Sequence, residues 1–277
     1  KSEYLTKDGI LSKEKETLTY KYYYKEWVRK PLLFQPPLML IREVVDKDTL
    51  PTALVQKELA YSSQILGIHC PLEEISELRE FYNMFQQHSR IYAFYLLVKT
   101  GRSLVSKANS LLVEDIKSLP YLNTEFKLYD MDKYIINDVL DYCSDFRSKG
   151  EDSKVVRPVT NKELQEFGEL YITILNSAFA NLSKGKAIIT ESFIFYPFYF
   201  GKLPIKPISS ITTIEHLVQQ LLKKEYTYAN LRIIRVIRLY DENAIYLIKP
   251  NQLRYWLKSV AINDADETFY YLSQNGL

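Results

Sequence analysis

Glycine, cysteine and long apolar runs are all scarce in this sequence, and each shortage argues against a class of protein. The chain has 8 glycines among 277 residues and no dinucleotide or P-loop motif, which argues against a glycine-rich phosphate loop. Its 2 cysteines, Cys70 and Cys143, form neither a zinc motif nor a disulfide framework, so we expect a reducing, cytoplasmic environment. The longest nearly uncharged run, Ala187 to Gly201, contains Glu191 and Pro197 and is too short to span a bilayer. No membrane segment is therefore predicted.

Charge and apolar content describe a globular chain rather than a non-specific nucleic-acid binder. There are 36 basic and 34 acidic residues, a formal net charge of +2, so any basic face must be local. Hydrophobic residues make up 47% of the chain, which is enough for a sizeable core. The first residue is Lys1 rather than Met, and we therefore expect a fragment of a longer polypeptide.

Hydrophobic periodicity predicts mixed strands and helices, an α+β fold in two units. The segment KPLLFQPPLMLIREVV and residues 52–69 are typical of strands, and a helix is expected from Pro71 to Gly101. Further helices are predicted over YDMDKYIINDVLDYCSDF, over 161–182 and from Pro250 onward. Between them, AIITESFIFYPFYFGKLP predicts one or two strands, and LRIIRVIRLYDENAIYLIKP predicts a hairpin.

Catalytic patterns in the chain are weak. Gln35-Pro36-Pro37-Leu38 lacks the first residue and the aromatic ring with which an amino-methyltransferase of DNA holds a flipped base. Asp115 with Glu125 and Lys127 nominally fits a Mg²⁺-dependent nuclease, although this spacing arises by chance in charged chains. No metal site is predicted, because no histidine or cysteine pair recurs at ligand spacing.

Two clusters of basic residues give the stronger signal. Between Arg90 and Lys117 there are 5 basic and 2 acidic residues, and between Lys223 and Lys258 there are 8 basic and 3 acidic residues. Such clusters can hold phosphates, and Arg, Lys, Gln or Asn at loop tips can read bases. The plainer alternative is the solvated face of an ordinary domain, or a protein-interaction module without DNA binding.

The order of features over residues 19 to 121 resembles the target-recognition domain of type IIG restriction–modification enzymes, which are DNA adenine methyltransferases. The matching pieces are KPLLFQPPLMLIRE, LVQKELAYSSQILGI, IYAFYLLVKTG and LLVEDIKSLPY. The resemblance implies a DNA-specificity domain over residues 1–125. Residues 126–277 would then form a C-terminal α+β extension of unassigned role.

The resemblance also implies partners and contact residues. Double-stranded DNA would be bound, and a methyltransferase domain in the same or a partner chain would carry S-adenosylmethionine, with or without Mg²⁺. The resemblance implies no cofactor and no catalytic residue in this fragment. The parent protein could also carry a nuclease. The implied DNA-binding residues are Arg42, Gln56, Lys57, Ser62, Ser63, Gln64, Arg102 and Lys107.

Overall fold

The fold combines helices with antiparallel sheets, which confirms the α+β prediction. The computed structural model describes residues 34–44, 49–59, 61, 64–100, 110–122, 125–179, 181–201, 213, 216, 236–241 and 243–275. Within those ranges, no helix has the length and apolar character needed to cross a membrane. The chain divides into two compact units, Lys1–Arg147 and Ser148–Leu277. The functional boundary expected between residues 125 and 126 stays a prediction.

A three-stranded sheet lies at the centre of the first unit. Its strands β1 (Leu38–Arg42), β2 (Thr52–Val55) and β3 (Ile65–His69) are arranged in the order β2-β1-β3, and both outer strands run antiparallel to β1. The apolar run of β1 explains its central place, because its first four residues are 0% exposed. A strand covered on both faces is typically apolar throughout rather than alternating.

The two faces of this sheet are covered differently. Helices α1 (Ile75–Gln87), α2 (Ser89–Thr100), α3 (Val113–Lys117) and α4 (Asp130–Lys149) complete the unit. Met39 and Ile41 belong to a core that includes residues of α1 and α2. Leu38 and Leu40, on the opposite face, pack near Leu59 and Tyr61 of the β2–β3 connection. Leu59 and Tyr61 therefore cover part of that face.

The second unit packs helices α5 (Asn161–Asn176) and α6 (Lys258–Gln274) against a larger sheet. Its strands are β4 (Leu182–Lys184), β5 (Ile188–Ile189), β6 (Phe193–Phe200), β7 (Ile237–Asp241) and β8 (Ala244–Pro250), ordered β4-β6-β8-β7 with β5 also paired to β6. At the start of α5, the Thr160 hydroxyl accepts the Glu163 N–H at 3.3 Å, and the Glu163 carboxylate accepts the Thr160 N–H at 3.0 Å.

Proline within β6 is tolerated because of a local break in pairing. Pro197 lies opposite the gap between the end of β4 at Lys184 and the start of β5 at Ile188. Its carbonyl accepts the Gly185 N–H at 2.8 Å, so its missing N–H would point into the same gap. A Cβ on Gly185 would lie 2.9 Å from Pro197 Cγ and 2.5 Å from the Tyr199 ring, so this crossing requires glycine.

Most predicted elements are confirmed, including the hairpin of β7 and β8. The single helix expected from Pro71 to Gly101 is instead two helices, α1 and α2, divided at His88. The helix expected over 161–182 is too long, since it ends at Asn176 and Leu182 begins β4. The Asn176 side chain bonds both the N–H and the carbonyl of Leu182, at 2.8 and 3.0 Å, and thereby supports the turn. The helix expected at Pro250 begins at Lys258, because Pro250 is still paired with Phe193 in the sheet.

Candidate nucleic-acid interface

Two of the implied DNA-binding residues come together at one end of the first sheet. Arg42 is the last residue of β1 and is paired with Ile65, the first residue of β3. Gln64 directly precedes Ile65 and is exposed, and its carbonyl accepts the Glu43 N–H at 3.0 Å. Arg42 and Gln64 thus lie at the same end of the sheet although 22 positions separate them in sequence. Their side chains belong to opposite faces, because Arg42 is paired with Ile65 and Gln64 lies opposite Glu43.

Gln56 and Lys57 lie at the opposite end of the same sheet. They follow Val55, which is paired with Leu38 at the start of β1, and both are exposed. Four residue steps along β1 separate that pair from Arg42, roughly 13 Å at about 3.3 Å per residue. The antiparallel pairing therefore separates the four described residues of the implied set, and a ligand at either end of the sheet would be near only two of them.

The remaining four implied residues, Ser62, Ser63, Arg102 and Lys107, lie outside the described residues. Leu111, which follows Lys107 by four positions, is described. The Leu111 N–H donates to the Glu43 carbonyl at 2.8 Å, beside Arg42. We call the described surface formed by Arg42, Glu43, Gln64, Leu112 and Val113 the Arg42 edge.

Arg42 itself is partly buried, and the described residues provide no anion that pairs with its guanidinium. Its Nε is buried, and among the described residues no hydrogen-bond partner reaches that atom. Arginine side chains are seldom removed from water unless they are paired, because desolvation penalises the charge. Among the described residues, the Nε of Arg42 is therefore a buried donor without an acceptor.

The electrostatic surroundings of the other sheet end differ. Cys70 follows β3 there, and burial raises the pKa of its thiol, with a further rise caused by the negative charges of Glu74, Glu77 and Glu73. Glu58 is exposed immediately after Lys57. Glu43 follows Arg42 just as Glu58 follows Lys57, so the described difference between the two ends is the three glutamates that act on Cys70, which repel phosphate groups.

Several members of the two basic clusters are occupied by internal contacts. Arg90 donates to Asp141 at 3.3 Å, and Lys117 pairs with Glu114 at 3.0 Å. In the second cluster, Lys258 pairs with Glu166 at 3.0 Å. These contacts neutralise charge that the sequence suggested for phosphate binding. They match the plainer interpretation, a solvated and internally paired face, at these positions.

The residues of the nuclease alternative share no site among the described contacts. Asp115 is 8% exposed and its carboxylate accepts the Leu112 N–H at 2.8 Å, at the start of α3. A carboxylate in this place satisfies an orphan N–H at a helix N-terminus and interacts favourably with the helix dipole. Glu125 and Lys127 are exposed. Across the described ranges, no three acidic, histidine or cysteine side chains are grouped as a metal site would require.

A buried ionic cluster in the second unit was missed by sequence reasoning. Lys249 of β8 is 0% exposed in its side chain, and its Nζ donates to Asp264 of α6 and to the Tyr255 carbonyl, the latter at 3.1 Å. The Nζ also lies 4.6 Å from the ring centre of Phe167 and 5.1 Å from that of Trp256. Burial lowers the pKa of Lys249 to about 8, against the opposing effect of Asp264.

The cluster continues outward through Arg238 of β7, which pairs with both Asp264 and Glu267. Glu267 is half exposed and borders an open depression of about 660 Å³ between β7 and α6. Tyr240 and Tyr271 stack at its wall with ring centres 3.9 Å apart. The sequence signal for this cluster was Asp264, since it lies on the apolar stripe of α6 with Ala261, Ala265 and Thr268, where a charge needs a partner.

Comparison of the chain with protein-family models, with curated proteins and with solved structures gave no match.

Proposed function

We propose that the first unit recognises double-stranded DNA in a sequence-specific manner through the Arg42 edge. An adenine methyltransferase domain, in the same or a partner chain, would use S-adenosylmethionine, with or without Mg²⁺, to modify the DNA bound in this way. The observation that supports this proposal is that Arg42, at the end of β1, is partly buried and its Nε has no described hydrogen-bond partner. The sequence resemblance to target-recognition domains supplies the class of ligand.

The physical argument starts from the unsatisfied donor. A buried donor without an acceptor destabilises a protein by about 1–3 kcal/mol, so its persistence favours a role in binding. The guanidinium carries five donors in a planar fork and no acceptor, which suits phosphate oxygens and base acceptors. Duplex DNA presents both phosphate oxygens and base acceptors, and the negative charge of its backbone strengthens a contact with arginine.

Electrostatics favours the Arg42 edge over the other end of the sheet. Arg42 and Lys57 are each followed by a glutamate, but Lys57 also lies at the end where three glutamates act on Cys70. A duplex that approached there would meet negative charge, and the attraction to Lys57 would be offset. Of the four described candidates, Arg42 and Gln64 are therefore proposed as contacts. Gln56 and Lys57 provide matched controls.

The test is duplex binding by this chain over a salt series. The double variant Arg42→Met, Gln64→Ala is compared with Lys57→Met, Gln56→Ala, which removes the same charge and the same amide at the opposite end. We expect affinity to fall steeply with salt for the unmodified chain. The first variant should weaken binding about 10-fold or more, and the control by less than about 2-fold.

Two results contradict the proposal. One is the absence of duplex binding by the unmodified chain even at the lowest salt. The other is an equal loss in the two double variants, which would mean that the Arg42 edge has no special part. In the first case the exposed rings of Tyr121 and Tyr129, at 72% and 82% exposure, would favour the protein-interaction alternative.

A further inference from the structure

We propose that the second unit binds an extended segment of a partner protein along the outer edge of β7, with a basic side chain of that segment seated in the depression between β7 and α6. The proposal goes beyond DNA recognition by the first unit, and each can fail without the other. Three observations support it: the edge position of β7, the aromatic walls of the depression, and the sign of the charges around it.

Strand β7 is an edge strand of the second sheet. It pairs with β8 on one side, and no other described strand pairs with it. Its five residues are all partly or fully exposed, whereas the first six residues of β8 are buried. The outer N–H and C=O groups of an edge strand are open to pairing with another extended chain. β7 therefore offers backbone donors and acceptors to one additional strand.

The two faces of β7 would meet different side chains of an added strand. Arg238 and Tyr240 lie on the face covered by α6, where they line the depression. Ile237 and Leu239 lie on the opposite face and pack against an apolar cluster. Side chains of neighbouring strands share a face at each position, with the strands about 4.8 Å apart. One side chain of the added strand would therefore enter the depression, and the residues on either side of it would lie beside Ile237 and Leu239.

The walls of the depression suit the stem and the charge of a long basic side chain. Tyr240 and Tyr271 stack there, and the neighbouring Tyr270 is 64% exposed. Aromatic rings pack against the methylene stem of arginine or lysine, and their faces attract the cation at its end. The volume of about 660 Å³ leaves room for such a side chain.

The described charges at the depression favour a cation over an anion. Asp266 and Glu267 line it from α6, and Asp241 is exposed at the end of β7. Arg238 is the one cation among the described lining residues, and its guanidinium is already paired with Asp264 and Glu267. Asp266 is exposed, and no described cation pairs with it. Its carboxylate can therefore pair with an incoming guanidinium or ammonium group, whereas an acidic side chain would be repelled.

The test is selection of linear peptides from a randomised displayed library on this chain. We expect the selected peptides to share a basic residue with apolar, strand-forming residues on both sides of it, as the two faces of β7 require. A selected peptide is then synthesised with N-methyl groups on alternate amides, in both phases of the alternation. Methylation of the amides that face β7 should abolish binding, and methylation of the other set should not, because N–H groups alternate between the two edges of a strand.

Charge reversal at Asp266 provides the residue-specific test. Asp266→Arg should weaken binding of a selected peptide about 10-fold or more, because it places a cation beside the incoming one. Replacing the basic residue of the peptide by glutamate should restore binding to Asp266→Arg but not to the unmodified chain. Glu191→Arg is the matched control, since it reverses an exposed acid between β5 and β6, on the side of the sheet away from β7.

Several results contradict the proposal. It is wrong if the library yields no binding peptide, or if the selected peptides share an acidic residue or no charged residue. It is also wrong if Asp266→Arg and Glu191→Arg weaken binding equally, or if N-methylation has no effect in either phase. A second copy of this chain is the alternative occupant, and a dimer in sedimentation that Asp266→Arg dissociates would establish that copy in place of a partner protein.

Both substituted side chains are exposed, so thermal unfolding of the two variants should match that of the unmodified chain. If either variant unfolds earlier, the comparison is made with Asp266→Asn and Glu191→Gln, which remove the charge without enlarging the side chain. Asp266→Asn should then weaken binding more than Glu191→Gln, and an equal effect of the two would contradict the proposal.

Discussion

The buried ion pair of the second unit allows a quantitative test of how that core is held. We expect Asp264→Asn to destabilise the chain by about 3–5 kcal/mol, because it leaves the Lys249 ammonium buried with one carbonyl partner. Lys249→Met should destabilise it by about 2 kcal/mol or less. Asp264 then still has Arg238, and the methionine fills a similar volume.

The double variant is the informative step. Combining Lys249→Met with Asp264→Asn removes the stranded ammonium, so the double variant should be more stable than Asp264→Asn alone. Urea unfolding at pH 6 keeps Lys249 charged, and fluorescence of Trp256, whose ring centre lies 5.1 Å from Lys249 Nζ, reports on this unit. A Trp27→Phe background leaves Trp256 as the single tryptophan, since the chain has 2.

Two results would refute this reasoning. Asp264→Asn could destabilise the unit by less than about 1 kcal/mol, which would mean that the ammonium is not desolvated as its burial indicates. Alternatively, the two single effects could simply add in the double variant, which would show that Lys249 and Asp264 do not interact energetically. Either result would mean that the ionic cluster does not hold this core together.

The pH dependence of stability gives a second measure of the same perturbation. Burial lowers the pKa of Lys249 to about 8 in the folded chain, below the value of 10.5 for an unperturbed lysine. Between these values the unfolded chain holds a proton that the folded chain has lost, so this group makes stability rise from pH 8 to pH 10.5. The rise should be absent in Lys249→Met, and equal slopes for the two proteins would contradict the pKa.

Three further outcomes are expected from single changes. Burial raises the pKa of Glu163, but hydrogen bonds from its arginine and threonine partners outweigh this and lower it to about 2, so stability should fall as pH drops from 4.5 through 2. Thermal unfolding across that window should show a shallower fall for Glu163→Gln; an unchanged fall would contradict it. Gly168→Ala places a Cβ 2.3 Å from the Tyr196 hydroxyl and should destabilise by about 1–3 kcal/mol in urea unfolding, partly rescued by Tyr196→Phe. Asp115→Asn should destabilise the chain by about 1 kcal/mol through loss of the bond to the Leu112 N–H, without altering any Mg²⁺-dependent cleavage; a loss of such cleavage would revive the nuclease alternative.

Local patterns were sufficient for most elements because they depend on neighbouring residues. The apolar run of β1 and the two strands of the β7–β8 hairpin are each confined to a few positions. Two helix boundaries were predicted wrongly, because they are set by contacts between residues that a short stretch of sequence does not include. Asn176 bonds Leu182 across a turn, and Pro250 stays extended because it pairs with Phe193, 57 positions earlier.

The candidate site was accessible from sequence only as a set of residue types. Arg42, Gln64 and Lys57 were each singled out, but no local pattern states which of them share an end of the sheet. That depends on strand order: a crossover from β2 to β3 across β1 carries the chain from the Lys57 end to the Arg42 end. Basic clusters likewise could not be separated into exposed and paired members, because partners such as Asp141 of Arg90 are distant in sequence.

The sequence by itself determined the α+β composition of this protein and the positions of its main helices and strands, since periodic burial and capping act over one or two turns of chain. It also determined which donors and charges exist. Only the tertiary structure decided that the buried Nε of Arg42 has no described partner, and that Lys249 is enclosed with Asp264. Such pairings are decided by long-range packing. The free energy of a charge is set by the groups that surround it in space, and those groups come from strands and helices far apart along the chain.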